Sequence, residues 1–145
     1  MDSNHQGRRS AVAVHDIEKG AIRRFAAAIG DANPLYHDED FAVASGFRSL
    51  IAPPTFGFGL RPGSDVRADL GLDWRNVLHG EQRFRYHQPI TAGDRVSVEA
   101  ELVEIYDKRG STGCMTFIVV DTTGCIESGG LLYESRSVTI VRRRA

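Results

Sequence analysis

The chain of 145 residues carries 18 Lys and Arg against 19 Asp and Glu, and 41% of its residues are hydrophobic. This length predicts one domain with a sizeable core, and the composition excludes a wholly disordered chain. A net charge of -1 provides no basic field for nucleic acid, and no apolar run reaches the ~18 residues that cross a bilayer. We therefore expect a cytoplasmic globular protein that binds neither nucleic acid nor a membrane.

Neither the cysteines nor the first residues indicate a special class of protein. Cys114 and Cys125 do not form a C-x-x-C pair, and two ligands alone do not make a zinc site. We expect free thiols, no metal and no cofactor. Residues 1–9 are polar and lack the apolar stretch of a secretory signal. We expect them to form a disordered tail before a single domain at residues 10–142, with a basic tail at residues 143–145.

A short strand and a helix are predicted at the start of the domain. Residues Ser10–His15 suit a strand, and Asp16 is a plausible N-cap for the helix that follows. Apolar residues recur at i, i+4, i+7 and i+8 over Ile17–Ile29, which predicts an amphipathic helix. Gly30 suits the position just after its end, where a left-handed backbone is common.

A loop with one short helix is predicted next, followed by a buried helix. The loop spans Asp31–Ser49, with the short helix at Asp38–Ala44. Pro53-Pro54 suits the first turn of a helix, and Thr55–Leu60 is small and apolar. This segment is the predicted second helix of the fold.

The second half of the chain predicts an antiparallel sheet. Strands are expected at residues 81–86, 96–105, 115–121 and 131–141, with turns at 92–94, 107–113 and 122–130. The alternation slips after Leu102, which predicts a bulge. Helices followed by a meander of long strands indicate an α+β fold, a curved sheet with one helix against its concave face. Its long edge strands need cover from a second copy or a partner.

The run Gly-Asp-Ala-Asn-Pro-Leu-Tyr-His-Asp, residues 30–38, concentrates the polar chemistry of the chain. It brings Asp31, Asn33, Tyr36 and His37 close to a turn. A carboxylate beside an imidazole holds a water molecule and transfers its proton. The start of a buried helix offers N–H groups to a developing oxyanion, such as a thioester enolate. These parts suit hydration or dehydration at the β-carbon of an acyl thioester.

The same run carries a family resemblance. Gly30-Asp31-x-Asn33-Pro34-Leu35, followed by Phe41-Ala42 and Gly46-Phe47, resembles the hydratase motif of MaoC-like (R)-specific enoyl-CoA hydratases and β-hydroxyacyl dehydratases. Pro89-x-x-x-Gly93-Asp94 resembles a turn of that family. The resemblance implies a hotdog fold, in which an antiparallel sheet wraps a central helix. It also implies an acyl-CoA or acyl-carrier-protein thioester as the ligand, and a role in fatty acid or steroid metabolism.

Two departures from the family pattern affect the chemistry. Active members have the catalytic His directly after the apolar residue, where this chain has Tyr36, and His37 comes one residue late. Active members also read His-Gly at the start of the central helix, and the Gly N–H helps to bind the thioester oxygen. Pro53 and Pro54 take those positions here, and proline has no N–H to donate. Asp31 remains.

These departures, together with the run Ala-Pro-Pro-Thr-Phe at residues 52–56, resemble the non-catalytic branch of the family. That branch supplies one hotdog of double-hotdog or heteromeric dehydratases, including mycobacterial-type (3R)-hydroxyacyl dehydratases and steroid side-chain hydratases. The resemblance implies that this chain mainly binds the acyl substrate, through Asn33, Pro54, Thr55 and Phe56. A homologous MaoC-like partner would carry the catalytic Asp and His.

Other interpretations stay open from the sequence. In a self-sufficient homodimeric hydratase, Asp31 is the base, His37 or Tyr36 is the second group, and Thr55 or Phe56 supplies the oxyanion N–H. A non-enzymatic acyl-CoA-binding hotdog would bind a thioester without turnover, and a thioesterase is a further alternative. Ordinary structural roles also compete: a turn former for Asp31, a packing residue for Tyr36 and a surface histidine for His37.

Overall fold

A computed structural model describes residues 5–110 and 113–143 of the chain. Within these residues, six strands form one antiparallel sheet and two α-helices precede its long strands. The elements are β1 (Arg8–Arg9), β2 (Ala13–Asp16), α1 (Lys19–Ala28), α2 (Glu39–Ala44), β3 (Val77–Tyr86), β4 (Arg95–Gly110), β5 (Gly113–Ile126) and β6 (Leu131–Arg143). Short 3-10 helices lie at Pro34–Tyr36, Phe56–Gly59, Ala68–Leu70 and Trp74–Asn76. No described helix is long and apolar enough to cross a membrane.

The sheet has the order β1-β4-β5-β6-β3, and β2 also pairs with β4. Strand β5 is central, as its apolar residues on both faces predicted. The bulge predicted after Leu102 is confirmed, because the β4–β5 register shifts between Leu102 and Glu104. Strand β3 pairs with β6 on one side and forms an outer edge of the described sheet.

The core lies between the concave face of the sheet and the segments that precede it. Ile22 and Ala26 of α1, together with Tyr36 and Phe56, share one buried cluster with Tyr133 and neighbouring sheet residues. A second cluster extends along β4, β5 and β6, with Leu102 and Ile118 fully buried. Burying each such side chain stabilises the fold by about 1.5–3 kcal/mol. The predicted α+β arrangement of a curved antiparallel sheet against a helix is confirmed.

The first helix is present but shorter than predicted. It begins at Lys19, with Glu18 as an N-cap whose side chain makes no capping bond. Asp16 is not the N-cap, because it ends β2 and its carboxylate lies 3.1 Å from Arg95. The predicted role of Gly30 is confirmed, since its φ is +72° and its N–H donates to the carbonyl of Ala27.

The predicted buried α-helix starting at Pro53 is wrong. Only a 3-10 helix, Phe56–Gly59, forms there. Gly57 and Gly59 oppose α-helix formation in the interior of this segment. This turn nevertheless packs into the core, where the rings of Phe25 and Phe56 meet edge to face with centroids 5.4 Å apart. Helix α1 and the 3-10 turn together take the place of one long helix.

The strands extend further than the sequence pattern predicted. Strand β4 continues to Gly110 and β5 resumes at Gly113, so most of the turn predicted at 107–113 is strand, and 111–112 lie outside the described residues. Strand β5 likewise continues to Ile126 into the turn predicted at 122–130. Arg8–Arg9 pair with β4 although residues 1–9 were expected to be disordered. Residues 1–4 and 144–145 lie outside the described residues.

Candidate active site

The loop after α1 is built by its own polar side chains. The N–H of Asp31 donates to the carbonyl of Ala26 at 2.9 Å, which completes the helix C-cap. Asp31 Oδ1 accepts from the N–H of Asn33 at 3.0 Å, and Asn33 Oδ1 accepts from the N–H of Leu35 at 3.1 Å. The second bond caps the 3-10 helix Pro34–Tyr36. Asp31 and Asn33 therefore act as turn formers, whatever further role they have.

His37 is held by the main chain of the same loop. Its Nε2 lies 2.8 Å from the carbonyl oxygen of Asp31, and its own carbonyl accepts from Arg23 Nε at 3.0 Å. A carbonyl is only an acceptor, so Nε2 carries the proton in this bond. No hydrogen bond joins the Asp31 carboxylate to the His37 imidazole among the described residues. The structure does not assemble these two groups into an acid–base pair.

Tyr36 is a core residue with 7% of its surface exposed. Burial raises the pKa of its phenol, the Asp31 carboxylate raises it further, and the Asn33 side chain opposes the shift. The phenol is therefore neutral at physiological pH and a weaker acid than an exposed tyrosine. Efficient proton transfer needs a pKa near the working pH, so this environment favours a packing role.

The turn at residues 53–57 adjoins this loop, because the N–H of Ile51 donates to the carbonyl of Leu35 at 3.3 Å. The N–H of Phe56 donates to the carbonyl of Pro53 at 2.9 Å, so it is already used within the turn. Pro54 has no N–H, and its carbonyl accepts from the hydroxyl of Tyr86. The N–H of Thr55 makes no hydrogen bond to a described residue. Thr55 is the one predicted oxyanion donor that the turn leaves available.

Two tyrosines that sequence reasoning did not select hold this turn. Tyr86 donates to Pro54, and the buried Tyr133 donates from its hydroxyl to the carbonyl of Gly57 at 3.2 Å. Burial raises the pKa of Tyr133 well above the ordinary phenol value. Its ring lies against Gly57 and Gly124, where a Cβ would come too close. The sequence signal that could have indicated this contact is Gly124 within β5, because a glycine inside a strand often marks the close approach of another group.

The Gly-Asp turn of the second half has a structural function. Gly93 adopts a φ of +92°, and the Asp94 carboxylate, in a residue only 4% exposed, accepts from the N–H of Thr91 at 2.8 Å. It also pairs with Arg48, which joins the turn to the end of the first loop. The motif therefore positions the two halves of the fold relative to each other.

A cavity of about 390 Å³ opens beside the turn. It lies between the segment that follows Gly57 and the concave face of the sheet, and its lining includes Gly57, Phe58, Arg67, His79, Gln82 and Ser137. This volume is typical of a small-molecule site. No cluster of three metal-binding side chains occurs among the described residues.

A curved antiparallel sheet over a helix, with a Gly-Asp-x-Asn-Pro loop beside the central turn, defines a hotdog protein of the hydratase and dehydratase class. The family model for the FAS1-like dehydratase domain region matches residues 4–134, and the chain belongs to this family. A UPF0336 protein of Streptomyces avermitilis is 40% identical over 135 residues, which cover 90% of this chain and 86% of the relative. A UPF0336 protein of Saccharopolyspora erythraea is 35% identical, and the matched region covers the whole of this chain and 94% of the relative.

Solved structures confirm the predicted hotdog fold. The HadBC (3R-hydroxyacyl-ACP dehydratase) complex of Mycobacterium tuberculosis contains a chain with a TM-score of 0.80 and 22% identity, covering 97% of this chain and 99% of that one. A chain of the ChsH1-ChsH2 complex of the same organism has a TM-score of 0.77 and 23% identity, covering 94% of this chain and 85% of that one. The (R)-hydratase PhaJ1 of Pseudomonas aeruginosa has a TM-score of 0.68 and 21% identity, covering 97% of this chain and 83% of that one.

Proposed function

We propose that this chain is the substrate-binding subunit of an (R)-specific enoyl-thioester hydratase, or equally of a 3-hydroxyacyl-thioester dehydratase. It acts with a homologous hotdog partner that carries the catalytic Asp and His. The proposal is carried by the residue that occupies the position where active members have the catalytic histidine. Tyr36 occupies it and points into the core, while the neighbouring His37 is tied to a carbonyl of its own loop.

The oxyanion position supports the same division of labour. Pro54 stands where active members have the Gly donor. The N–H of Phe56, two residues further on, is bonded within the turn. Removing a single oxyanion donor costs an enzyme about 10²–10³ in rate. A chain that lacks both the histidine and this donor is poorly equipped for the reaction by itself.

The contribution of this chain would be to bind and orient the acyl group. The cavity beside Gly57 is of ligand size, and the buried Tyr133 fixes the turn that lines it through the Gly57 carbonyl. Holding a substrate in one orientation supplies a large part of the rate of a reaction without any acid or base. Two of the similar structures, HadBC and ChsH1-ChsH2, are named as complexes of two different chains, which agrees with a partnered role.

We expect the purified chain to show no enoyl-CoA hydration by itself and to support hydration when a partner is added. The partner to test is a homologous chain with an intact Gly-Asp-x-Asn-Pro-hydrophobic-His motif. Loss of the conjugated-thioester absorbance measures turnover. Full activity of the isolated chain would contradict the proposal and would favour the homodimer, with Asp31 as the base and the available N–H of Thr55 as the oxyanion donor. Thioester binding without turnover, with or without a partner, would favour a binding protein.

A further inference from the structure

The concave face of the sheet carries a group of polar side chains where a hydrocarbon chain would need apolar ones. Gln82 lies directly opposite Ser137 across β3 and β6, and Ser135 lies directly opposite Thr122 across β6 and β5. Ser135 and Ser137 are two residues apart on β6 and therefore share a face. We call these four residues the polar patch. All four line the 390 Å³ cavity.

The hydrogen-bonding groups of the polar patch are largely unused by the protein. The Gln82 carbonyl oxygen is buried and has no partner, and its amide nitrogen makes one long contact of 3.5 Å to the carbonyl of Arg83. The hydroxyls of Thr122 and Ser135 make no hydrogen bond to a described residue. Ser137 donates to the carbonyl of Val120 at 3.5 Å, and all four residues are partly buried. A buried, unpaired amide oxygen beside two unused hydroxyls at a cavity indicates that the occupant supplies partners.

The surroundings of the polar patch make its chemistry specific. Val120 lies directly opposite Ser137, Leu102 lies opposite Val120, and Tyr133 lies two residues before Ser135 on the same face. All three are buried and apolar or aromatic. Arg67, at the cavity wall, is already engaged, because it bonds Asp65 and donates to Thr139 at 3.1 Å. The Arg61 guanidinium also lines the cavity and lies over the Phe58 ring, 5.2 Å from its centroid. The unused groups of the polar patch itself are neutral hydroxyl and amide groups. A neutral group that both donates and accepts suits them better than a carboxylate or an ammonium.

We propose that the cavity accepts an acyl chain bearing a hydroxyl group in its distal part, and not a plain alkyl chain. The hydroxyl would donate to the Gln82 carbonyl oxygen and accept from the hydroxyl of Thr122 or Ser135. A plain chain would cover these groups and leave them without partners, which is the unfavourable case. This inference rests on the proposed function only in placing an acyl thioester in the cavity.

The test compares two non-reactive thioether analogues of acyl-CoA that differ by one hydroxyl on the distal half of the chain. We expect calorimetry to show that the hydroxylated analogue binds about tenfold more tightly to the chain, or to its complex with the partner, as one hydrogen bond predicts. Thr122→Val combined with Ser135→Ala is expected to reduce this preference to about twofold or less. Thr123→Val is the matched control, because Thr123 is the next residue on β5, faces the other way and is exposed. Gln82→Leu is a second variant with the same expected loss.

The outcomes separate this inference from the proposed function. Equal affinity for the two analogues, tighter binding of the plain chain, or no binding of either would overturn the inference. So would an equal loss of preference in the combined variant and in the Thr123→Val control. Equal turnover of plain and hydroxylated enoyl-CoA by the complex would overturn it and leave the partnered hydratase standing. A preference in binding without turnover by any complex would support it and reject the proposed function.

Discussion

Replacing Gly124 with alanine is expected to lower the free energy of unfolding by about 3 kcal/mol, the upper end of the usual cost of overpacking. A Cβ at this position would lie within 3.0 Å of three ring atoms of Tyr133. The ring cannot move away easily, because it is fully buried, also lies against Gly57 and is held by its hydroxyl. Urea unfolding followed by circular dichroism measures the change.

Gly59→Ala is the matched control for this variant. A Cβ on Gly59 meets nothing within 4 Å, and its φ is not in the left-handed region, so the change is expected within about 0.5 kcal/mol. Equal midpoints for Gly124→Ala and the native chain would contradict the account of Tyr133. Because Tyr133 holds the carbonyl of Gly57, the same variant should also weaken binding at the cavity.

Asp94→Ala is expected to destabilise the fold by about 2–3 kcal/mol, the cost of leaving a buried donor without its partner. The Asp94 carboxylate accepts from the N–H of Thr91, and both residues are about 95% buried or more. Without the carboxylate, the N–H of Thr91 has neither protein nor solvent to bond. Thermal unfolding of the two chains measures the difference.

Arg48→Met provides the control for the ion pair alone. The Arg48 side chain is 63% exposed, so its pairing with Asp94 is screened by solvent and is expected to contribute less than about 1 kcal/mol. A loss as large as that of Asp94→Ala would show that the ion pair, and not the turn, is the stabilising element. Asp94→Asn should fall between the two, because the amide oxygen still accepts from Thr91.

Much of the fold was predictable because alternation and turn residues act locally. The bulge after Leu102, the central position of β5 and the helix end at Gly30 each follow from a short stretch of sequence, and each is confirmed. Strand ends were missed where polar residues continue in a strand, as at the β4–β5 hairpin. There, the pairing of two strands overrides local turn propensity.

The candidate site was only partly predictable, because its arrangement depends on contacts that are distant in sequence. The loop of Asp31 and Asn33 was found from its motif, but the bond of His37 to a carbonyl was not, since it depends on how the loop folds back. The helix expected at Pro53 was inferred from prolines suited to a first turn and from the small apolar run Thr55–Leu60, but two glycines inside that run oppose an α-helix. Tyr133 was missed because its role depends on Gly57 and Gly124, far away along the chain.

The central claim is that the chemistry of the enzyme belongs to the partner, and one pair of variants in the assembled complex tests it most directly. Asp31→Asn changes the charge but keeps an oxygen that accepts from the N–H of Asn33, so the loop is preserved. We expect this variant of the complex to keep its hydration rate within about twofold. The matching Asp→Asn change in the partner's motif should lower kcat by about 10² or more, as loss of a general base does. A loss of that size from Asp31→Asn in this chain, with its unfolding midpoint unchanged, would contradict the account and assign the base to Asp31.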